Sequence, residues 1–587
     1  MRPTIFFLAS LAPMILSAAV MLPDVWSAKS EIRSVEQGVR GLRLTGERKG
    51  DFYHARLTNA GSAPVHVREV ALFRIAHQLP GDTRLYGESF QMLSQTGGTL
   101  DRPVDLGYDE LKHYKIPQPP DARVVTGTMT LTPPGSDTML LGFTSSRRFS
   151  GRFYLRPESI EVVVDTEGLA IAPGESWDLE EFLYASGPHR PALLARLADR
   201  INENHPPRRF SKPPAGWCSW YCFGPRVTAK NVMDNLSAIA REAPALRYVQ
   251  LDDGYQSAMG DWLETGQAFG GDVRGVLAAI RQRGLEPAIW VAPFIAEASS
   301  HLFQQHPDWF MKGADGKPLS ADKVTFQGWR RGPWYALDGT HPEVQKHLES
   351  VFRTMRQEWG VTYFKLDANF WGAMHGGRLH DPKATRIEAY RRGMQAVLRG
   401  AGDSFILGCN HPIWPSFGLI DGSRSSDDIH RTWEAFQKVA RQNLNRNWQN
   451  GRLWWNDPDA VVLTGTLPEE QYRFHATMTV AAGGLVLSGD DLSTIPPDRL
   501  AMLEKLLPPT GAAAEFEDET LRAGVVRLKD RALVCLFNWT ERSDKLAVKL
   551  PRAGQVSDLW SSHDYGKRQG TLEVELKLHE GTVLVVK

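Results

Sequence analysis

The chain has 587 residues, of which 42% are hydrophobic and 23% charged, the balance of a globular protein rather than a disordered or fibrous one. That length is well past the ~250–300 residues at which single cores stop growing, so two or three domains are expected. Lysine plus arginine and aspartate plus glutamate each number 68, so no net field draws the chain to nucleic acid or to an anionic membrane.

The N-terminus reads MRPTIFFLASLAPMILSAAVMLPDVWSAKS. One arginine, an apolar run over about residues 4–22 and small residues at 17–19 and 27–28 predict a secretory signal peptide over 1–28 and a secreted or periplasmic protein. An uncleaved anchor or a cytoplasmic start is the alternative, and Pro13 interrupts the run. No later segment has ~18 uninterrupted apolar residues, so no stable membrane insertion is expected once the signal is cleaved. Residues 29–200 alternate apolar and polar positions between Gly, Pro, Asn and Asp clusters, the pattern of a large antiparallel β-sandwich. A helix over about 190–204 leads into HPPRRFSKPPAG, a linker by composition.

From 201 to 508 the pattern changes. Apolar strand runs at about 216–221, 248–252, 287–291, 362–367, 405–409, 422–425, 453–456 and 485–488 alternate with amphipathic helical segments. Eight such units predict a (β/α)8 barrel. A doubly wound open sheet is the alternative, but no glycine-rich phosphate turn, P-loop or G-x-S-x-G elbow is present. Residues 509–587 read as short strands of a small C-terminal all-β domain.

Barrel enzymes gather their chemistry at the C-terminal ends of strands. In VTYFKLDAN the polar residues Lys365, Asp367 and Asn369 share one parity and are expected on one face. The other strand ends supply Trp217 and Trp220, Asp252 and Asp253 in LDDGY, Trp290, Cys409 and Asn410, then Arg424, Asp427 and Asp428 in SRSSDD, followed by WWNDPDA and SGDDL. Paired carboxylates suit glycoside hydrolysis, one attacking or stabilising the anomeric carbon while the other protonates the leaving oxygen. Acidic pairs, a lysine and an aromatic face suit the sugar itself. An arginine four residues before Asp428 is placed to orient that carboxyl and tune its pKa. Lys365, two residues from Asp367, disfavours a metal between them, so neither metal nor cofactor is expected. Four cysteines in so long a chain make neither a disulfide framework nor a zinc site.

These segments resemble glycoside hydrolase clan D, the melibiase-type α-galactosidases. LDDGY is similar to the family's LDDGW element and FKLDAN to its K-x-D nucleophile strand. GCNHPIWPSFGLIDGSRSSDDI resembles its Cys-containing strand followed by R-x-x-x-D, and WWNDPDAVVLTG its W-N-D-P-D segment. The likeness covers about 214–494, and the flanking β-domains resemble family 36 more than family 27. It implies a retaining double displacement on terminal α-D-galactosides, with Asp367 as nucleophile and Asp428 as acid/base, adjacent Asp427 being the rival. It further implies that Asp252, Asp253, Lys365 and Arg424 bind sugar hydroxyls and that Trp220, Trp290, Cys409 and Asn410 line the pocket. Neighbouring activities on this fold are α-N-acetylgalactosaminidase and α-galactosyl transferase; a catalytically inactive sugar-binding relative is a third reading, against which both carboxylates stand. Two departures, IWVAPF in place of a strand with two acidic residues and Tyr255 in place of Trp, are expected near the pocket mouth and bear on the substrate.

Bland readings weigh on the rest. Asp457, Asp459, Asp490 and Asp491 read as turn and cap residues. Trp309, Trp329, Trp334, Trp371, His375 and His380 fall in long βα connections, where rim and core roles compete.

Overall fold

The computed structural model describes residues 20–208, 210–517 and 520–587. Most of the predicted signal segment, residues 1–19, therefore lies outside the described residues. The rest of that segment packs against the sandwich: Leu22 and Val25 are buried, and the Trp26 ring meets Phe73 edge-on at 5.7 Å and Phe182 at 6.1 Å. Among the described residues no helix is long and apolar enough to cross a membrane.

The sandwich is antiparallel throughout. A five-stranded sheet runs Lys29–Ser34, Val65–Ala76, Ser159–Ile171, Ser150–Arg156 and Arg123–Thr126 in spatial order, and a nine-stranded sheet packs against it. Strand Val65–Ala76 shows how sequence selects the face: Val65, Val67 and Val70 point into the core while His66 and Arg68 point out. The helix Arg190–Asn204 then crosses to the barrel.

The barrel has eight parallel strands: β1 (Ala215–Cys218), β2 (Tyr248–Leu251), β3 (Glu286–Val291), β4 (Tyr363–Leu366), β5 (Phe405–Gly408), β6 (Gly422–Arg424), β7 (Trp455–Asp457) and β8 (Val486–Ser488). The ladder runs from β7 through β6, β5, β4, β3, β2 and β1 to β8. The remaining seam is stitched by the Leu485 N–H donating to the Asn456 carbonyl at 2.8 Å and the Val461 N–H to the Leu487 carbonyl at 2.7 Å. Helices with one apolar stripe pack outside, several with side-chain caps; Thr385 and Glu388 form a reciprocal capping box at the helix Arg386–Ala401.

Residues two apart on each strand explain where the site lies. The inward positions begin apolar, with Ala288, Tyr363, Phe405, Leu407 and Leu487 filling the bottom of the barrel. One or two positions further along the same faces come Asp252, Trp290, Lys365, Asp367 and Cys409 at the mouth. The face that Lys365 and Asp367 share ends there. Ala368 adopts a left-handed φ of +52°, and Asn369 turns away, fully buried, its amide donating to the Leu366 carbonyl at 3.0 Å.

The C-terminal strands form a six-stranded sheet and a two-stranded one. They cover the helix Glu469–Ala482, where Phe474 meets Phe537 and Trp539 and the Trp560 indole donates to Thr477 at 2.9 Å. The sandwich is fastened to the barrel more deeply. Arg446, beyond the helix Trp433–Asn445, forms a fully buried ion pair with Glu88 of the sandwich strand Arg84–Glu88 at 2.6 Å. Trp414 of the barrel packs under Gly127 and donates to the Phe143 carbonyl at 2.7 Å. Gly127 has φ +75°, and a Cβ there would sit 2.2 Å from the Trp414 ring, so no other residue fits.

Candidate active site

A cavity of about 400 Å³ opens at the C-terminal ends of the strands. Asp252, Asp253, Lys365, Asp367, Trp220, Trp290, Cys409, Asn410, Asp427 and Asp428 all line it. A larger cleft of about 1370 Å³ lies between the outer sandwich sheet and the barrel loop at 374–386, and none of these residues lines it.

Each group is held by its neighbours. The Lys365 amine donates to Asp252 Oδ2 at 2.9 Å, and Gln250 donates to the same oxygen at 2.7 Å. Burial opposes the charge on Lys365, but Asp252 overrides it, so the amine stays protonated. Cys218, at the end of β1, donates its thiol to Asp252 at 3.5 Å. Asp253 accepts a two-pronged hydrogen bond from Arg330, the Nε contact being 2.7 Å, and one from Gln256 at 2.7 Å. Asp367 accepts the Trp290 indole N–H at 3.1 Å and the Ala368 N–H at 2.6 Å. Burial pushes its carboxyl above the usual range, with Lys365 and the two donors pulling back.

Arg424 is not among the lining residues. It lies behind the wall, 1% exposed; its Nη2 donates to Asp428 Oδ1 at 2.6 Å and to the Tyr221 hydroxyl at 3.1 Å and is ion-paired with Asp459 Oδ2 at 2.5 Å. Asp428 projects forward, its side chain 48% exposed. Burial works to raise its pKa, but Arg424 prevails and holds the carboxyl below the usual range. Asp427 is otherwise engaged: one oxygen pairs with Lys438 and the other accepts the Asp428 N–H at 2.8 Å.

The remaining wall comes from elsewhere in the chain. Leu93, Tyr108, His113 and Tyr114 reach in from the sandwich, and Phe326 and Trp329 from the long β3–β4 connection. The Tyr114 hydroxyl donates to Asn410 Oδ1 at 2.8 Å, Tyr108 stacks on His113 at 4.3 Å, and His113 meets Phe326 at 4.0 Å. Lys115 donates to the Asp322 carbonyl at 2.9 Å, tying the sandwich loop to the barrel. Tyr108, pushed up to about 12 by burial and by the charges of Asp427 and Asp428, keeps its hydroxyl proton. Sequence reading missed this loop, although the aromatic and histidine content of YDELKHY in a turn-rich stretch was a signal.

Other expectations need correction. Tyr255 and the stretch 291–294 do not reach the mouth. The Tyr255 hydroxyl is buried against the Trp262 carbonyl, and Phe294 packs on Tyr390 at 5.6 Å. The departures from the resembled pattern are thus core substitutions. Of Trp309, Trp329, Trp334, Trp371, His375 and His380, Trp329 alone lines the cavity; Trp334 and Trp371 are buried beneath it, and Trp309 stacks on His306 at 3.9 Å. His375 contacts the Lys115 carbonyl at 2.8 Å. Asp490 serves structure, accepting from Arg431 at 2.7 Å and from the Leu463 N–H at 2.6 Å. One carboxylate–imidazole group among the described residues, Asp261, Glu264 and His301, has metal-like spacing, but it lies outside the cavity, and Asp261 already accepts the His301 and Leu302 amides.

The melibiase family model matches residues 232–398, the stretch that carries β2, β3 and β4 with Asp252, Asp253, Trp290, Lys365 and Asp367. An A type blood α-D-galactosamine galactosaminidase from Flavonifractor plautii is 27% identical over 280 residues, 43% of this chain and 25% of its own length. The chain thus spans about a quarter of that relative. The solved α-galactosidase of Thermus thermophilus in complex with stachyose is 25% identical, with a TM-score of 0.60 over 84% of this chain and 99% of that one. The α-galactosidase AgaA of Geobacillus stearothermophilus, at 12% identity, shares the fold with a TM-score of 0.63 over 95% of this chain and 87% of its own. Residues 232–398 of the central barrel thus match a melibiase domain, and the barrel with its flanking β-domains shares the fold of the solved α-galactosidases.

Proposed function

We propose that the protein is a retaining exo-acting glycosidase that hydrolyses terminal α-D-galactosides. The observation that carries this reading is two carboxylates facing one cavity from opposite kinds of wall. Asp367 sits among the lysine, the acidic pair and the Trp290 indole, and Asp428 sits beside the apolar rim. In the first step an Asp367 oxygen bonds to the anomeric carbon. The glycosidic C–O bond breaks with its electron pair passing to the leaving oxygen, which takes the Asp428 proton. In the second, water gives a proton to Asp428 and attacks the same carbon, and Asp367 leaves as carboxylate. Asp252, Asp253 and Lys365 hold the sugar hydroxyls, and Trp290 covers its apolar face. Asp428 is preferred to Asp427 as acid/base because Asp427 has both oxygens occupied.

A panel of aryl α-glycosides of galactose, N-acetylgalactosamine, glucose and arabinopyranose tests the sugar assignment. Turnover of the galactoside above the other three is the expected result; preference for glucose would sink it. The Flavonifractor relative favours a second reading, removal of an N-acetylgalactosamine or galactosamine residue, which the same panel separates. Since Asp367 must be ionised and its pKa is raised, the acid limb of kcat/KM is expected above pH 3.8, the ordinary value for aspartate. An acid limb below that value would contradict the nucleophile's environment.

The side where Asp428 stands is the leaving-group side; Tyr108 and His113 lie near it, and Trp329 stands on the cavity rim. Trp329 is 39% exposed, an open platform for a ring. Tyr108→Ala and Trp329→Ala are each expected to lower kcat/KM on an oligosaccharide by roughly tenfold, about 1.4 kcal/mol of lost stacking. The methyl glycoside, which has no ring to stack, should change little. Equal losses on both substrates would remove the platform role.

We further propose export, with cleavage at the small residues 17–19 rather than 27–28. The later cut would remove Leu22, Val25 and Trp26 from the sandwich core. N-terminal sequencing of the secreted protein decides it.

A further inference from the structure

Asp459 is a buried acid that the double displacement leaves idle. It stands two residues beyond the end of β7 with φ +75°, a left-handed conformation that costs a non-glycine residue about 1–3 kcal/mol. Asp457 supports the turn by accepting the Asp459 N–H at 3.1 Å. The turn aims the carboxylate, 4% exposed, at the back of Arg424. Oδ2 accepts from the Tyr221 hydroxyl at 2.5 Å and from the Ile429 N–H at 2.7 Å and is ion-paired with Arg424 Nη2 at 2.5 Å. The charged and titratable groups facing Asp459 are Arg424 on β6, Asp428 on the loop after it, Tyr221 after β1 and Asp457 on β7; Cys218 lies within reach of its field, and Lys365 and His430 face Asp428.

One guanidinium nitrogen therefore serves two carboxylates. An arginine paired with a single aspartate favours the ionised form, the wrong state for a general acid. A second carboxylate on the same nitrogen restores a negative charge, and the two acids then hold one proton between them. We propose that Asp459 is a positioning residue that takes up the charge of Arg424, so that Asp428 carries the leaving group's proton at the pH where Asp367 is ionised. Burial and the charges of Asp428 and Asp457 push Asp459 up to about 7, as expected of a pair that keeps one proton into the neutral range. At rest the shared proton lies on Asp459, and the active arrangement is the tautomer with Asp459 ionised, the form its Tyr221 and Ile429 donors favour, and Asp428 protonated. When the glycosidic bond breaks, the proton leaves Asp428 with the departing oxygen. Arg424 then holds both carboxylates until water returns a proton in the second step.

The inference rests on Asp428 being the acid/base, and the test separates the two. kcat/KM is measured against pH on methyl α-galactoside, whose leaving group needs the proton, and on a dinitrophenyl α-galactoside, whose leaving group does not. The variants are Asp428→Ala, Asp459→Asn and Tyr221→Phe. Asp459→Asn keeps the shape and the acceptor. Its alkaline limb on the methyl glycoside is expected to move at least one pH unit to lower pH, with at least tenfold lost at pH 7 and a loss at least tenfold smaller on the dinitrophenyl glycoside. Tyr221→Phe removes a donor from ionised Asp459 and is expected to move the limb the other way, with a lower plateau; it carries the test if Asp459→Asn does not fold. Unmoved limbs with equal losses on both substrates make Asp459 purely structural and overturn the proposal. A limb that survives in Asp428→Ala overturns the acid/base assignment instead, and the proposal with it.

Discussion

Asp367→Ala is expected to lose nearly all turnover, by roughly 10⁴-fold or more, while the fold stays intact. The size follows from what is removed. No other group takes over the covalent bond to the anomeric carbon, and a 10⁴-fold loss is about 5 kcal/mol of barrier. The fold survives because alanine leaves the backbone at the end of β4 in place and removes a buried carboxyl whose pKa burial already raises. The Ala368 N–H and the Trp290 indole lose an acceptor, but the carboxyl they bonded lines the cavity, so water can take its place. Added azide is expected to restore turnover and to give the β-configured azide, because it attacks once from the face that Asp367 vacated. Undiminished hydrolysis by the variant would refute the nucleophile assignment. Rescue with retention of configuration would refute the double displacement.

The second large effect is on stability. Glu88→Ala is expected to destabilise the protein by about 3–5 kcal/mol, because it strands Arg446 with its charge buried and uncompensated. Arg446 reaches Glu88 through Nε at 3.1 Å and Nη2 at 2.6 Å and also donates to the carbonyls of Met92, Ser94 and Ser425. Tyr86 and Gln449 donate to Glu88 at 2.6 and 3.2 Å and lose their acceptor as well. The ion pair itself need not stabilise: replacing both partners by apolar residues of like volume removes two desolvated charges together, so Glu88→Leu with Arg446→Met should recover part of the loss, the carbonyls of Met92, Ser94 and Ser425 being left without their donor. Denaturant titration reads both, and a single variant within about 1 kcal/mol of the wild type would show that water reaches Arg446. Because Ser425 follows Arg424 directly, the same variant is also expected to lose activity at denaturant concentrations where the helical signal is still native.

The barrel was legible because parallel strands buried on both faces read as apolar runs, and their polar ends mark the mouth. Asp252, Trp290, Lys365 and Asp367 were found for the same reason, since a spacing of two fixes a shared face while the strand lasts. The rule failed at Asn369, where the left-handed Ala368 turns the chain two residues beyond the end of β4. It could not reach contacts made across the chain. Tyr114 and Asn410 are 296 positions apart, and Arg330 and Asp253 are 77 apart, so neither pair leaves a local pattern. Asp459 was read as a turn former, which it is. What the sequence hid is that the turn delivers its carboxylate to Arg424, because that depends on where β6 and β7 sit side by side. Tyr255 and Phe294 were misplaced because a pattern of residue types does not say which of two strand faces a substitution serves.

The loop that carries Tyr108, His113 and Tyr114 divides the protein's inheritance. What is cleaved is written in the barrel, and what is released is written partly in a separate domain that precedes it. A hybrid joining the sandwich of one such protein to the barrel of another would keep the barrel parent's sugar and take on the sandwich parent's taste in leaving groups, provided the Tyr114–Asn410 and Glu88–Arg446 contacts were preserved. Selection can thus tune the two preferences apart, along different stretches of one gene.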